Sequence, residues 1–243
     1  MNGSSRSIAI KKNIIASLFL KGISILVSLQ VVPLTINYIN PTRYGIWLTL
    51  SSIVAWLSYF DLGFAHGFRN RFAEAVAKGD MQLAREYVST TYVVLSLLFS
   101  SVFLIAIVVN HFVDWSAILN VDAAYSSELN IVFGILAFFF CLNIVASIFT
   151  TMLTANQKPA LASLIQTLGQ VFGFICIYIL TKTVPGNLDV LAFAFSGVPC
   201  FLLIIISIGM FLSGRYRHLS PSFHFVHFSL TKKIVGLGGQ FFI

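Results

Sequence analysis

The sequence predicts an all-α fold, a polytopic bundle of transmembrane helices. Apolar residues make up 58% of the 243 residues and charged residues only 9%, whereas soluble domains carry about a quarter charged residues. The apolar residues also lie in runs of about twenty, which is the length of a helix that crosses a bilayer. Too few residues remain between the runs to form a soluble domain.

Six of these runs are predicted to span the membrane, at residues 13–36, 44–65, 88–110, 130–154, 161–181 and 190–212. A seventh apolar run begins at Ile234, and the sequence ends at Ile243, too soon for a span. We therefore expect a truncated chain with three parts. These are a six-helix transmembrane lobe (1–212), a cytoplasmic connector (213–233) and the start of a second lobe (234–243).

The basic residues predict the orientation of the bundle. One side takes twelve of the fifteen, namely Arg6, Lys11, Lys12, Arg69, Arg71, Lys78, Arg85, Lys158, Arg215, Arg217, Lys232 and Lys233. The other side takes Arg43 and Lys182, and Lys21 lies within the first helix. Because basic loops stay in the cytoplasm, the N-terminus is predicted to be cytoplasmic. The charge is spread over helix ends, so nucleic acid is not an expected partner.

The first helix carries a polar stripe, formed by Ser17, Lys21, Ser24 and Ser28 at helical spacing. Lys21 lies about 12 Å along the axis from Asn13, near the bilayer centre. A lysine at that depth costs about 2.5 to 3.5 kcal/mol, so it normally faces a cavity or an acidic partner. We expect Lys21, with Ser24 and Ser28, to bind an anionic substrate group. The alternative is a lysine paired only for packing.

Two further helices carry such stripes. The fourth predicted helix has Asn143, Ser147, Thr150 and Thr154, and the fifth has Ser163, Gln166, Thr167 and Gln170. Such groups can bind sugar hydroxyls, although they also hold membrane helices together. Three stripes in three helices favour a polar lumen, with Asn143, Ser147, Gln166 and Gln170 as substrate-binding candidates. Trp56 in the second helix is a further candidate, or else part of the interfacial aromatic belt.

Asp61 lies near the cytoplasmic end of the second predicted helix, and Arg69 and Arg71 follow it, with Gly63 and Gly67 permitting a close turn. We expect Asp61 to pair with these arginines as an inner gate or a structural ion pair. Arg69 and Arg71 are also expected to attract a pyrophosphate headgroup, because guanidinium groups match phosphate oxygens. Ordinary positive charge on the cytoplasmic side is the alternative interpretation.

No catalytic, metal-binding or cofactor motif is evident. The five histidines are scattered, and the three cysteines lie singly within apolar segments. We therefore predict that the chain is not an enzyme and that it needs no cofactor.

The tract from Pro41 to Asp80, PTRYGIWLTLSSIVAWLSYFDLGFAHGFRNRFAEAVAKGD, is followed closely by AREYVSTTY. It resembles Wzx-type flippases of O-antigen and capsule biosynthesis, which belong to a superfamily that includes MATE-type multidrug antiporters. The resemblance implies one lobe of a MATE-like, two-lobed transporter in the bacterial inner membrane. Its substrate would be an oligosaccharide on undecaprenyl pyrophosphate, flipped to the periplasmic leaflet.

The resemblance further implies a cationic cavity, which Lys21 fits, coupling to H+ or Na+, and partner proteins of polysaccharide assembly. Two alternatives remain open. A MATE-type drug antiporter would carry acidic residues within the membrane, and Asp61 is the one candidate in this sequence. A polysaccharide polymerase or ligase would carry a large basic outer loop, whereas the loop from His111 to Leu129 has no basic residue except His111.

Overall fold

The computed structural model describes residues 3–56 and 62–239, with side chains for residues 13–56 and 64–236. This part of the chain is helical and contains no strand. The helices are α1 (Gly3–Ile39), α2 (Pro41–Trp56), α3 (Leu62–Ala77), α4 (Met81–Phe112), α5 (Trp115–Leu119), α6 (Ser126–Ala155), α7 (Pro159–Thr183), α8 (Leu188–Leu212) and α9 (Ser229–Gly239).

Five helical segments of the described chain are long and apolar enough to cross a membrane. They are Asn13–Ile39, Met81–Phe112, Ala123–Ala155, Pro159–Thr183 and Leu188–Leu212. The prediction of an all-α membrane helix bundle is therefore confirmed. A sixth span stays a prediction, because residues 57–61 within the second run, 44–65, lie outside the described residues. In the described part, α2 ends at Trp56 and α3 begins at Leu62.

The α1–α2 and α7–α8 junctions lie together at one end of the bundle. The hydroxyl of Tyr38 donates a hydrogen bond to the carbonyl of Pro185 (3.2 Å), and Arg43 Nη1 donates to the carbonyl of Gly186 (3.4 Å). Arg43 also forms an ion pair with Glu128 near the start of α6 (3.3 Å). We call this end the opposite end.

The more basic loops meet at the other end, the basic end. Lys158, between α6 and α7, donates to the hydroxyl of Tyr216 beyond α8 (3.0 Å). Arg85 near the start of α4 donates to the carbonyl of Ser220 (2.9 Å), and its guanidinium group lies over the ring of Phe225. The structure thus brings together loops that the distribution of basic residues assigned to the same side of the membrane.

Helix α7 packs between α1 and α8, and α6 packs between α4 and α8. The contact between α7 and α8 is close because Gly169 and Gly173 face Pro199. A Cβ atom on Gly169 would lie 3.2 Å from Pro199 Cα, a distance that leaves no room for a larger side chain. The glycines thereby fix how closely α8 approaches the helix that carries the predicted polar stripe.

The connector after α8 is docked onto the bundle. Its Tyr216 and Leu219 side chains are buried, and the following α9 packs against α3. Gly67 of α3 approaches Ile234 so closely that a Cβ atom would overlap the Ile234 carbonyl. The chain after α8 therefore contacts the helix that carries Arg69 and Arg71.

Candidate functional site

A polar cavity of about 320 Å³ lies near the basic end, between α3, α6 and α7. We call it the basic cavity. Its polar lining includes Arg69, Thr150, Thr151, Thr154, Ser163 and Gln166. Arg69 thus lies beside parts of the two stripes predicted in the fourth and fifth helices. Thr151 was missed by the sequence analysis because it falls outside the regular spacing of its stripe.

Arg69 and Arg71 have different surroundings. Arg71 Nη1 lies 3.1 Å from Glu74 Oε2, and Arg71 Nε donates to the carbonyl of Lys233 in α9 (3.4 Å). Hydrogen bonds from Lys78 and Arg71 hold the pKa of Glu74 below its usual value. Arg69 is exposed and forms no hydrogen bond or ion pair with any residue that the structure describes. Asp61, the predicted partner of both arginines, lies outside the described residues.

The hydrogen bonds around the basic cavity show which of its polar groups can donate to a ligand and which can accept from one. The hydroxyls of Thr150 and Thr154 donate to carbonyls of their own helix, at 2.8 and 2.9 Å. Their oxygen lone pairs remain able to accept from a hydroxyl group. The Arg69 guanidinium and the Gln166 amide supply N–H donors. The cavity therefore offers donors for an anion next to acceptors for a hydroxyl-rich group.

A second cavity of about 440 Å³ lies between α1, α2, α7 and α8. We call it the central cavity, and Ser28, Thr35, Tyr44 and Gln170 supply its polar groups. Gln170 and Gln166 are four residues apart on α7, about 6 Å along its axis. One polar edge of α7 therefore connects the central cavity with the basic cavity.

Ser24 links this edge to α1. Its hydroxyl donates to the side-chain oxygen of Gln170, and the Ser28 hydroxyl donates to the Ser24 carbonyl (2.9 Å). One turn towards the basic end, the Thr167 hydroxyl donates to the carbonyl of Leu20 (3.4 Å). The predicted stripe of α1 is thus in contact with the predicted stripe of α7.

Lys21 lies on α1 at the level of this contact. Its side chain is exposed, and no hydrogen bond or ion pair joins it to any described side chain or backbone group. It lies one residue beyond Leu20, whose carbonyl contacts α7, and three residues before Ser24. The ammonium group is therefore not held by a packing partner within the described chain.

A third cavity of about 310 Å³ contains Asn143 and Ser51 between α2, α6 and α8. Trp47 and Phe195 line both this cavity and the central cavity, with ring centroids 5.1 Å apart. Asn143 is exposed in this cavity.

Four of the predicted substrate-binding residues line none of these three cavities, namely Lys21, Ser24, Ser147 and Trp56. Ser147 donates to the carbonyl of its own helix residue Ile144 (2.7 Å). Trp56 ends α2 with 74% of its surface exposed. The structure therefore does not bring Ser147 and Trp56 together with Arg69, Gln166 or Gln170.

No carboxylate is among the described residues that line the three cavities, and the described part of the chain contains no cluster of metal-binding side chains. No protein-family model, curated protein or solved structure matches the chain. The chemistry of the cavities is therefore the available indication of its function.

Proposed function

We propose that this chain is the N-terminal six-helix lobe of a MATE-like flippase. Its substrate is an oligosaccharide repeat unit on undecaprenyl pyrophosphate, which moves from the cytoplasmic to the periplasmic leaflet for O-antigen, capsule or exopolysaccharide biosynthesis. The observation that carries the proposal is the basic cavity. There, Arg69, which pairs with no described residue, and the Gln166 amide adjoin the hydroxyl acceptors of Thr150 and Thr154. A pyrophosphate attached to a sugar needs this combination of groups.

The polar edge of α7 supplies a route within the lobe. Gln166 lines the basic cavity and Gln170 lines the central cavity, which reaches Tyr44 near the opposite end. Lys21 lies beside this edge on α1, and an ammonium group at that depth with no partner among the described residues attracts an anion. In our proposal the headgroup enters at Arg69 and then passes Lys21 and Gln170. The N-terminus is cytoplasmic in this scheme, so the basic end faces the substrate's leaflet.

A MATE-type cation antiporter is the second candidate of the transporter class. Such a protein binds cations through carboxylates, and none is among the described residues of the three cavities. The polar groups of these cavities suit an anionic, hydroxyl-rich substrate better. A membrane-bound polymerase or ligase is the alternative from the enzyme class. A transport assay distinguishes it from both transporters, because an enzyme of this kind would not move the substrate across the membrane.

Complementation of a flippase-null strain tests the proposal. We expect the gene carrying Lys21→Ala to lose most surface polysaccharide, because the headgroup would lack a cation midway through the lobe. Lys21→Arg keeps the charge and is expected to retain most activity. Immunoblots of the membrane fraction check that both variants accumulate equally. Normal surface polysaccharide from the alanine variant would remove Lys21 from the mechanism.

A further inference from the structure

Aromatic and basic side chains are exposed on the connector between α8 and α9. Phe223 has 86% of its surface exposed and Phe228 has 62%. Arg215 and Arg217 are exposed on the same short segment. Exposed apolar side chains close to basic residues are typical of segments that lie at a membrane interface. We call these four residues the connector surface.

The connector surface is held rigidly. Tyr216 lies between the two exposed arginines and Leu219 two residues after Arg217, and each has only 1% of its surface exposed. The backbone N–H of Ser222 donates to the Ser89 hydroxyl of α4 (3.1 Å). The N–H of His227 donates to the Thr90 hydroxyl (3.0 Å). The exposure of the aromatic residues is therefore built into a docked segment.

The position of the connector along α4 indicates which part of the bilayer the connector surface contacts. The connector is bound to α4 at Ser89 and Thr90, and α4 continues to Phe112. From Thr90 to Phe112 the helix rises about 33 Å, and the hydrocarbon core of a bilayer is about 30 Å thick. With Phe112 at one interface, the connector lies at the headgroup level of the other. In segments that lie at the interface, Phe side chains are buried at the boundary between headgroups and acyl chains.

The charge around the connector surface is strongly positive. No Asp or Glu occurs after Asp189, whereas Arg215, Arg217, Lys232 and Lys233 all follow it. Glu86 of α4 lies 3.8 Å from the imidazole of His227 and offsets part of this charge. Basic segments beside a membrane attract anionic lipids, at about 1 kcal/mol for each basic residue.

We propose that the connector surface is a docking site for anionic phospholipid headgroups of the leaflet at the basic end. Phe223 and Phe228 insert between the headgroups, and the guanidinium groups of Arg215 and Arg217 bind lipid phosphates. The site is distinct from the three cavities and does not depend on the proposed transport function.

Insertion is tested with a fluorescent probe on the full chain. A Phe223→Cys variant, with Cys141, Cys176 and Cys200 replaced by alanine, is labelled with nitrobenzoxadiazole in nanodiscs of equal phosphatidylcholine and phosphatidylglycerol. We expect blue-shifted emission that is quenched by lipids with a nitroxide high on the acyl chain. The matched Ala77→Cys probe, exposed at the same end, should stay water-like. Water-like emission at position 223, or shielding without nitroxide quenching, would overturn the proposal.

Headgroup selectivity is tested by native mass spectrometry of the detergent-solubilised chain with both lipids. Arg217→Gln should lower retention of phosphatidylglycerol relative to phosphatidylcholine by about fivefold, the equivalent of one basic residue. Lys78→Gln removes one charge at the same end, but Lys78 is already paired with Glu74, so we expect little change. Equal retention by wild type and Arg217→Gln, or equal losses in both variants, would contradict a specific lipid site.

Discussion

Arg69 and Arg71 lie two positions apart on α3 and meet different surroundings. Arg71 is held by Glu74 and by the carbonyl of Lys233, whereas Arg69 faces the basic cavity. Two positions on an α-helix are about 200° apart, so the two side chains must diverge. The sequence predicts this divergence once the helix is known. It does not predict which arginine meets a cavity, because that depends on where α6 and α7 pack.

Substitutions at Gln170 and Ser24 distinguish substrate binding by Gln170 from helix packing. Gln170→Ala removes both the hydrogen bond to Ser24 and an amide from the central cavity. Ser24→Ala removes the same hydrogen bond and leaves the amide, and Ser24, although a predicted substrate-binding residue, lines none of the three cavities. We expect each variant to lose only about 0.6 kcal/mol of stability, a typical value for a hydrogen bond between membrane helices. Transport in the complementation assay should fall much further for Gln170→Ala. Equal transport by the two variants would show that Gln170 serves packing alone.

Glu74 gives α3 a pH-dependent contact. Hydrogen bonds from Lys78 and Arg71 lower its pKa from the ordinary value of 4.5. A lowered folded-state pKa means that the stabilisation is present above about pH 4.5 and is lost as the pH falls through the folded-state pKa. We expect thermal unfolding of the purified Glu74→Gln variant to depend less on pH below 4.5 than wild type does. Parallel pH curves for the two proteins would contradict this assignment.

At the scale of elements, α6 shows what helical spacing predicts and what it leaves open. Asn143, Thr150 and Thr154 were predicted to share one face of a helix. In the structure Asn143 lines the third cavity, whereas the two threonines line the basic cavity. Helix α6 is 30 residues long and meets different neighbours along its length. Spacing predicts the face, but the neighbours depend on packing that no local pattern encodes.

The contact between α3 and α9 is predicted to be sensitive to a single methyl group. A Cβ atom on Gly67 would overlap the carbonyl of Ile234, so Gly67→Ala must push the two helices apart. We expect a loss of about 1 to 3 kcal/mol, as for other overpacked sites. Gly209→Ala is the matched control, because nothing lies within 4 Å of its added Cβ atom. Chemical unfolding in detergent measures both, and equal stability of the two variants would refute the close contact.

At the scale of the whole molecule, the bundle and the grouping of its loops were predictable from the sequence. Apolar run lengths predicted the five long segments because a bilayer sets the length of a spanning helix. The docking of the connector was not predicted, since its polar residues are typical of a free linker. Tyr216 and Leu219 are buried there, whereas Phe223 and Phe228 are exposed, and no periodic pattern in the connector distinguishes the two pairs.

The described part of the bundle has the basic cavity at one end and a polar edge of α7 that continues inward from it. This arrangement combines elements distant in sequence: Arg69 from α3, Thr150 from α6 and Gln166 from α7. The central claim is that these elements together bind a pyrophosphate carried on a lipid-linked sugar. Binding can be measured without the transport cycle.

The most direct test is the affinity of the purified chain for an undecaprenyl pyrophosphate-linked oligosaccharide, measured by microscale thermophoresis in detergent. Loss of a charged hydrogen-bond donor costs about 1.5 to 3 kcal/mol, so Arg69→Gln should weaken binding at least about tenfold. Arg71→Gln should bind nearly as wild type does, because Arg71 is held by Glu74 and α9. Equal affinities of wild type and Arg69→Gln, or a larger loss for Arg71→Gln, would contradict the account.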